Sequence, residues 1–156
     1  MCGGTLLDTH NLETAIIHAT CVAVAGQGAL IVGRSGAGKS ALALQMMGNG
    51  AALVADDRVV LRMVDGRAVA DAAPNLGGLI EARGIGILRA QAAGPTLVSL
   101  VVDLDQEDPS RLPEPSHAQV LRQTVPLLLA AGTPNLPAAL MQLLKMGRVN
   151  PQWPNT

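Results

Sequence analysis

One octapeptide constrains this chain more than any other feature. It reads Gly33-Arg34-Ser35-Gly36-Ala37-Gly38-Lys39-Ser40 and fits the P-loop pattern G-x-x-x-x-G-K-[ST]. The apolar run Ala29 to Val32 precedes it, and an Ala- and Leu-rich stretch from Lys39 to Met47 follows it, with Gly48 as a stop signal. Because strand, loop and helix agree, we predict a single α/β domain. Its mixed, twisted sheet has the P-loop strand and helix at the centre, with flanking β-hairpins and a C-terminal helix.

Each residue type in this loop suits the binding of phosphate. The glycines let successive backbone N–H groups point inward around a phosphate, and the helix N-terminus adds a partial positive charge. The Lys39 ammonium bridges the terminal phosphates, and the Ser40 hydroxyl is a ligand for Mg²⁺. We therefore predict nucleotide or phosphate binding by residues 33–40.

Charge and aromatic content exclude several classes of function. The 156 residues carry 11 Lys and Arg against 12 Asp and Glu, so we expect no basic face for nucleic acid. Trp153 is the single aromatic residue, which leaves almost nothing for stacking bases. The apolar runs Cys21 to Val32 and Leu97 to Val102 fall short of the roughly 18 residues of a membrane span. The first Lys or Arg is Arg34, so we expect no targeting signal and a cytoplasmic address.

Turn residues divide the rest of the chain into short elements. Gly26-Gln27-Gly28 and Asp65-Gly66 predict two hairpins, and Asn75 is expected to cap a short helix through Glu81. Further regular elements are predicted as a buried strand at Leu97 to Val102, a strand from Ala118 to Val125 and a helix from Leu136 to Met146. Irregular segments are predicted as a loose N-terminus at residues 1–14, a mobile acidic loop from Asp105 to Ser116 and a Pro-containing tail at residues 150–156. The P-loop domain itself is expected to span residues 15–149.

Two adjacent carboxylates follow the short predicted strand Leu53 to Ala55. Strand ends in such sheets open onto the ligand crevice, so we expect Asp56 and Asp57 beside the bound phosphates. One of them would bind Mg²⁺, directly or through water, and the other would accept a proton from an attacking hydroxyl. Asp103, which ends the Leu97 to Val102 strand, is the competing acid on the metal side. The sequence leaves the choice open.

Three further polar residues have an ordinary structural explanation when taken alone. Glu81 and Arg83 precede Gly84 and suit a solvated charge pair at a helix C-terminus with that glycine as its cap. His18 follows Ile16-Ile17 on a predicted strand, where a lone histidine is usually a hydrogen-bonded structural residue. Their local patterns therefore assign them no function.

Taken together, these segments resemble the catalytic domain of HPr kinase/phosphorylase. The resemblance covers Ile17 to Asp103 and rests on His18, residues 33–40, Leu53-Val54-Ala55-Asp56-Asp57-Arg58-Val59, Ala73-Pro74 and Glu81-Ala82-Arg83-Gly84-Ile85-Gly86-Ile87, in that order. That family uses ATP and Mg²⁺ to phosphorylate a serine of HPr, the small phosphocarrier protein of the sugar phosphotransferase system. Many members also reverse the reaction by phosphorolysis. The resemblance implies an ATP-dependent serine kinase with HPr as its partner.

The resemblance also implies roles for individual residues. The P-loop residues keep their phosphate and Mg²⁺ roles, and Asp56 matches the acid/base aspartate, with Asp57 supporting the metal or the charge balance. Glu81 matches the signature glutamate at the metal and active site. Arg83 matches the neighbouring arginine that helps to hold phosphate or HPr, and His18 matches a histidine close to the reacting phosphate.

The chain also departs from the family's pattern. It looks like the short catalytic-core form of α-proteobacteria, without the N-terminal domain of the long members. Those long members are hexamers, and by analogy we expect a homo-oligomer whose contacts the sequence does not single out. Residues 131–136 lack the basic residue of an expected Gly-Arg-Asn-like segment, which favours the kinase direction over phosphorolysis. The alternatives are a small-molecule P-loop kinase and a catalytically silent nucleotide sensor.

Overall fold

A computed structural model describes residues 4–149, which form eleven strands, two α-helices and one 3₁₀-helix. The strands are β1 (Thr14–His18), β2 (Thr20–Val24), β3 (Gln27–Val32), β4 (Ala52–Ala55), β5 (Arg58–Val64), β6 (Arg67–Ala72), β7 (Leu79–Ala82), β8 (Gly86–Arg89), β9 (Thr96–Asp103), β10 (Ser116–Val120) and β11 (Gln123–Leu129). The helices are α1 (Lys39–Gly48) and α2 (Leu136–Met146), and the 3₁₀-helix is Leu6–Thr9. Within these described residues, no helix has the length and apolar character of a membrane span.

Nine of the described strands form one mixed sheet. Its order is β1-β5-β6-β9-β3-β2-β4, and the β10–β11 hairpin joins it through β11. Strand β9 runs parallel to β3 and β11 and antiparallel to β6. The other pairings are antiparallel, and β7 and β8 form a separate two-stranded sheet. The predicted mixed α/β sheet with a C-terminal helix is confirmed, and β3 is one of its inner strands.

The hydrophobic core lies on both faces of this sheet. On one face, Leu42 of α1 and Leu140 of α2 pack with Ile31 of β3. On the other face, Leu30 of β3 packs with Leu61 of β5. Successive residues of a strand point to opposite faces, so a strand that is covered on both sides needs a continuous apolar run. This requirement explains the sequence that precedes the glycine-rich loop.

Two tight turns confirm the predicted hairpins. Ala25 and Gly26 have φ of 52° and 77° between β2 and β3, and Asp65 and Gly66 have φ of 52° and 78° between β5 and β6. Two successive residues with positive φ are the requirement of a type I′ turn, whose twist matches that of the flanking strands. The helix predicted from Lys39 and the helix predicted at Leu136 to Met146 are also confirmed.

The short helix predicted from Asn75 to Glu81 is wrong. Asn75 has φ of 65° in a turn, and the chain then enters β7, which pairs with β8. Ile80 and Ala82 are buried while Glu81 between them is exposed, which is the alternation of a half-buried strand. Gly84 therefore lies in a hairpin turn, with φ of 89°, and is not a helix cap.

Two other expectations about local structure need correction. The single strand predicted from Ala118 to Val125 is the β10–β11 hairpin, which turns at Leu121 with φ of 52°. The segment predicted to be loose contains the 3₁₀-helix, where the Asp8 carboxylate accepts hydrogen bonds from the backbone N–H and the hydroxyl of Thr5. Gly4 also forms a parallel bridge with Ile17, so this segment is attached to the sheet. The tail at residues 150–156 lies outside the described residues.

Candidate active site

Three strands bring the sequence-predicted residues to one edge of the sheet. Strands β9 and β4 both run in the direction of β3, since β9 is parallel to β3 and β4 is separated from β3 by the antiparallel strand β2. The glycine-rich loop, Asp56 and Asp103 therefore follow strand ends at the same edge. Strand β2 begins there with Thr20, two residues after His18 at the end of β1. Ligands of open α/β sheets bind at this carboxyl edge.

The glycine-rich loop turns tightly into α1. Gly36 and Gly38 have φ of 83° and 101°, which β-carbon-bearing residues rarely adopt, and the helix begins at Lys39. The Lys39 side chain is buried, and its Nζ donates to the carbonyl oxygens of Gly33 at 2.8 Å and Arg34 at 3.0 Å. The ammonium is thus held over the loop, at the N-terminus of α1, where helix dipole and lysine charge both favour an anion.

Arg34, the first variable residue of the loop, is held by Asp105, which lies two residues after the end of β9. The Asp105 carboxylate accepts the Arg34 backbone N–H at 2.9 Å and the Arg34 guanidinium at 2.9 Å. The Leu104 N–H donates to the Val32 carbonyl at 2.9 Å, so the chain after β9 follows the start of the loop. Sequence reasoning missed Asp105. Its position two residues beyond the end of a parallel neighbour of β3 was the only available signal.

Asp56 lies at the centre of the polar network. Its Oδ1 accepts the hydroxyl of Ser40 at 2.7 Å and the hydroxyl of Thr20 at 2.9 Å, and its Oδ2 accepts the backbone N–H of Glu81 at 3.2 Å. These donors come from α1, β2 and β7, and they fix the orientation of the carboxylate. Thr20 is fully buried and was not singled out by the sequence analysis. The half-buried Asp56 therefore faces the loop from a rigid support.

The neighbouring carboxylate has a different partner. Asp57 adopts φ of 67°, which turns the chain from β4 into β5, and its Oδ1 lies 2.9 Å from Nε2 of His18. His18 is in register with Arg58, the first residue of β5, so the pairing of β1 with β5 brings the histidine to this turn. His18 thus contacts the residue that directly follows Asp56 in the sequence.

Asp103, the competing acid, accepts hydrogen bonds from the segment that directly follows it. Its Oδ1 accepts the Asp105 N–H at 2.8 Å, and its Oδ2 accepts the Gln106 side-chain amide at 2.9 Å. Asp103 is in register with Val32, so it lies directly beside the start of the glycine-rich loop. The carboxylate that contacts Ser40, however, is that of Asp56.

The β7–β8 hairpin lines an open cleft of about 610 Å³ together with Ser40 and Asp56. Glu81 lines the cleft from β7. Arg83 lies in the exposed hairpin turn, and among residues 4–149 its guanidinium has no hydrogen-bond or ion-pair partner. The hairpin thus brings Glu81 to the polar network and leaves Arg83 at its outer end.

A second cavity, of about 780 Å³, borders the start of the glycine-rich loop. Gly33, Arg34 and Asp103 form its inner wall, and His18 lines it together with His10 and His117. Neither His10 nor His117 belongs to a sequence motif, and the two meet here because His10 follows the 3₁₀-helix and His117 lies on β10. Residues of the glycine-rich loop therefore line two open spaces, with Gly33 and Arg34 at this cavity and Ser40 at the cleft beside Asp56.

The donor set around Ser40 suits Mg²⁺. The Ser40 hydroxyl and the Glu81 carboxylate line the same cleft and are hard oxygen donors, and Mg²⁺ is usually held by one or two carboxylates together with substrate phosphates and water. Within residues 4–149 there is no group of three or more acidic, histidine or cysteine side chains that could hold a metal alone. The residues therefore fit an ion shared with a nucleotide, which would supply charge neutralisation at the phosphates when bound.

Known proteins are similar to this chain in sequence. Residues 10–113 match the family model described as HPr Serine kinase C-terminal domain. An HPr kinase/phosphorylase of Geobacillus thermodenitrificans is 40% identical over 113 residues, which are 67% of this chain and 37% of that protein. One of Caldicellulosiruptor bescii is 48% identical over 82 residues, 51% of this chain and 26% of that protein. The chain thus spans about a third of the length of these relatives.

The fold itself is also found in a solved structure. The Hpr(Ser) kinase/phosphatase from Coxiella burnetii superimposes with a TM-score of 0.70 at 24% sequence identity, covering 83% of this chain and 88% of that one. The family match includes β1 to β9, and so it includes the glycine-rich loop, Asp56 and the β7–β8 hairpin. The chain belongs to the family of the HPr Serine kinase C-terminal domain.

Proposed function

We propose that this chain catalyses the ATP- and Mg²⁺-dependent phosphorylation of a seryl hydroxyl of HPr and thereby acts in regulation of the phosphotransferase system. The observation that carries the proposal is the contact between Asp56 and Ser40. It places a carboxylate oxygen 2.7 Å from the hydroxyl of Ser40, the residue that the P-loop pattern assigns to the metal ion of a bound nucleotide. Transfer to a hydroxyl requires a carboxylate near the transferring phosphate that can take the hydroxyl proton.

In the proposed reaction, Asp56 accepts the proton of the seryl hydroxyl while the seryl oxygen bonds to the γ-phosphorus of ATP. The bond from that phosphorus to the bridging oxygen breaks, and ADP keeps the electron pair. Lys39 and the N-terminus of α1 stabilise the charge on the phosphate oxygens, because both are positive and held in place before the substrate arrives. Phosphoryl transfer needs little more than this positioning and charge stabilisation.

The remaining predicted site residues receive supporting roles. We assign Ser40 and Glu81 to the metal ion and His18 and Arg83 to the oxygens of the transferring group. Asp57, which pairs with His18, would hold that imidazole in place and balance its charge. We place the kinase direction ahead of phosphorolysis, since residues 131–136 carry no basic side chain to capture inorganic phosphate.

The decisive experiment separates transfer from binding. Purified chain is incubated with γ-labelled ATP, Mg²⁺ and HPr of the same organism, and nucleotide affinity is measured in parallel by calorimetry. We expect label on an HPr serine with the unaltered chain, loss of label and of affinity with Lys39→Ala, and loss of label alone with Asp56→Ala.

The chain offers a matched control, because its other lysine, Lys145, lies exposed in the last turn of α2. Lys145→Ala should label HPr as the unaltered chain does. Nucleotide binding without transfer to HPr by the unaltered chain would contradict the proposal and favour a sensor or a small-molecule kinase.

A further inference from the structure

An open groove with an apolar lining is bounded by the C-terminal half of α2 and by the sheet. It has a volume of about 420 Å³, and residues of β9, β10, β11 and α2 line it. Its apolar lining includes Pro115, Pro126, Leu127, Leu128, Leu143 and Leu144. Leu144 is buried, but Leu127, Leu128 and Leu143 are only half-buried. We call this space the α2 groove, and an apolar concave surface of this kind favours an apolar occupant.

The chain leaves α2 beside this groove. Gly147 ends the helix with φ of 76°, and its N–H donates to the Leu143 carbonyl at 2.8 Å. The Arg148 side chain lines the groove, and its guanidinium donates to the Pro113 carbonyl at 3.0 Å. Val149, the last described residue, therefore directly follows a residue that lines the groove.

The next seven residues have a composition that suits an apolar groove. Residues 150–156 read Asn-Pro-Gln-Trp-Pro-Asn-Thr and carry no charged side chain, so their docking would require no charge to leave water. Trp153 is the single aromatic residue of the chain, and an aromatic side chain buries about 150–250 Å². Pro151 and Pro154 fix their own φ and favour extended backbone in the residues before them, which reduces the conformational entropy lost on docking.

Trp153 can reach the groove from the end of the described chain. The four residues from Val149 to Trp153 extend to at most about 13–14 Å. Since Arg148 already lines the groove, the tail needs no long crossing to enter it. The hydroxyls of Ser99 and Ser116 also line the groove and offer an acceptor for the indole N–H, which usually has a hydrogen-bond partner when it is buried.

We propose that the α2 groove binds residues 150–156 of this same chain, with the Trp153 indole against the leucines of β11 and α2. The tail would then hold the end of α2 against β11. It would also cover Pro115, near the end of the segment whose first residue, Asp105, holds Arg34 of the glycine-rich loop. This role is separate from the proposed phosphoryl transfer, and its test needs no activity assay.

The fluorescence of this chain reports on Trp153 alone, because the sequence contains no other tryptophan and no tyrosine or phenylalanine. Emission spectra and acrylamide quenching are measured on the full chain, in buffer and in urea, with N-acetyltryptophanamide as the reference for a free indole. We expect the folded chain to emit at a shorter wavelength than the reference and to be quenched several-fold less, since the groove excludes water and quencher from the indole. Urea should remove both differences.

Two variants test whether the α2 groove is what buries the indole. Leu143→Glu places a charge in the groove wall, and Pro126→Arg fills the groove from an exposed position without removing a buried side chain. Both should shift the emission to longer wavelength and raise the quenching several-fold, with an unchanged far-UV circular dichroism spectrum. If Leu143→Glu does not fold, Pro126→Arg decides. Gln142→Glu is the matched control, because it adds the same charge at a neighbouring, exposed position of α2 that does not line the groove, and it should change neither signal.

Three results would overturn the proposal. The first is an unaltered chain whose emission and quenching equal those of the reference. The second is a buried indole that neither groove variant exposes, because Trp153 would then be covered by another part of the fold. The third is burial that appears only as the protein concentration rises, which would assign the indole to a second copy of this chain.

Discussion

Replacing Thr20 with valine removes one hydroxyl from the centre of the polar network and leaves the shape of the side chain intact. Thr20 is fully buried, and its hydroxyl donates to Asp56 Oδ1 at 2.9 Å. A hydrogen bond to a charged group contributes about 1.5–3 kcal/mol. Asp56 keeps its bonds from Ser40 and from the Glu81 N–H and is only half-buried, so we place the loss for Thr20→Val at the lower limit, about 1.5 kcal/mol.

A double-mutant cycle with Asp56→Ala isolates this interaction. In the unaltered background, Asp56→Ala leaves the buried Thr20 hydroxyl without its acceptor, which costs about 1–3 kcal/mol in addition to the lost bond. In the Thr20→Val background no buried hydroxyl remains to be left unpaired, so the same substitution should cost about 1–2 kcal/mol less. The free energies of unfolding are measured by urea denaturation of all four proteins.

The cycle also has a functional readout. We expect Thr20→Val to lower kcat several-fold, because Asp56 loses one of the donors that orient it, while the affinity for ATP stays constant. Additive free energies, within about 0.5 kcal/mol, would refute the hydrogen bond as an energetic contact. If ATP affinity also fell, the substitution would have damaged the glycine-rich loop. That result would refute the role of Thr20 in orienting the Asp56 carboxylate.

Three further predictions concern other parts of the fold. Asp105→Ala should weaken ATP binding about fivefold in calorimetry, because the glycine-rich loop loses both hydrogen bonds at its first variable residue. Burial raises the pKa of the Cys21 thiol to about 12, so this cysteine should resist alkylation at pH 8 and react at that pH once urea unfolds the chain, as peptide mapping would show. Gly28→Ala should lower the unfolding free energy by about 1–3 kcal/mol, because its β-carbon would lie 2.6 Å from a carbonyl oxygen of β9. Gly48→Ala, with nothing within 4 Å, should leave stability unchanged or raise it.

The parts of the fold with strong local signals were predictable from the sequence. The glycine-rich loop, its strand and its helix form one continuous pattern, and Asp65-Gly66 has the φ angles that its residue types favour. The positions of Asp56 and Asp57 could also be predicted, because the carboxyl ends of the strands in a sheet of this kind lie at the ligand-binding edge.

The missed elements lack such local signals. The β7–β8 hairpin has strands of four residues each, too short to show a period, and its glycines suit a helix cap equally well. The β10–β11 turn has Leu121 at positive φ, where a sequence pattern predicts glycine, asparagine or aspartate. Leu121 is fully buried, so its packing offsets the backbone cost. Tertiary contacts, which no short window of sequence contains, decide these two elements.

Several residues of the candidate site could be proposed from the sequence, but the hydrogen bonds that join them could not. The contact between Asp56 and Ser40 spans 16 positions, and the contact between Asp56 and Thr20 spans 36. Thr20 and Asp105 have ordinary residue types in ordinary strand-end positions. Their roles follow from the strand order of the sheet, which the sequence does not reveal.

The most direct test of the central claim is the mass of HPr after incubation with this chain, ATP and Mg²⁺, followed by mapping of the modified residue. The account predicts the addition of one phosphoryl group on a serine, and no addition when Asp56→Ala replaces the unaltered chain. An unmodified HPr, or a phosphoryl group that Asp56→Ala still transfers, would contradict Asp56 as the base of a protein serine kinase.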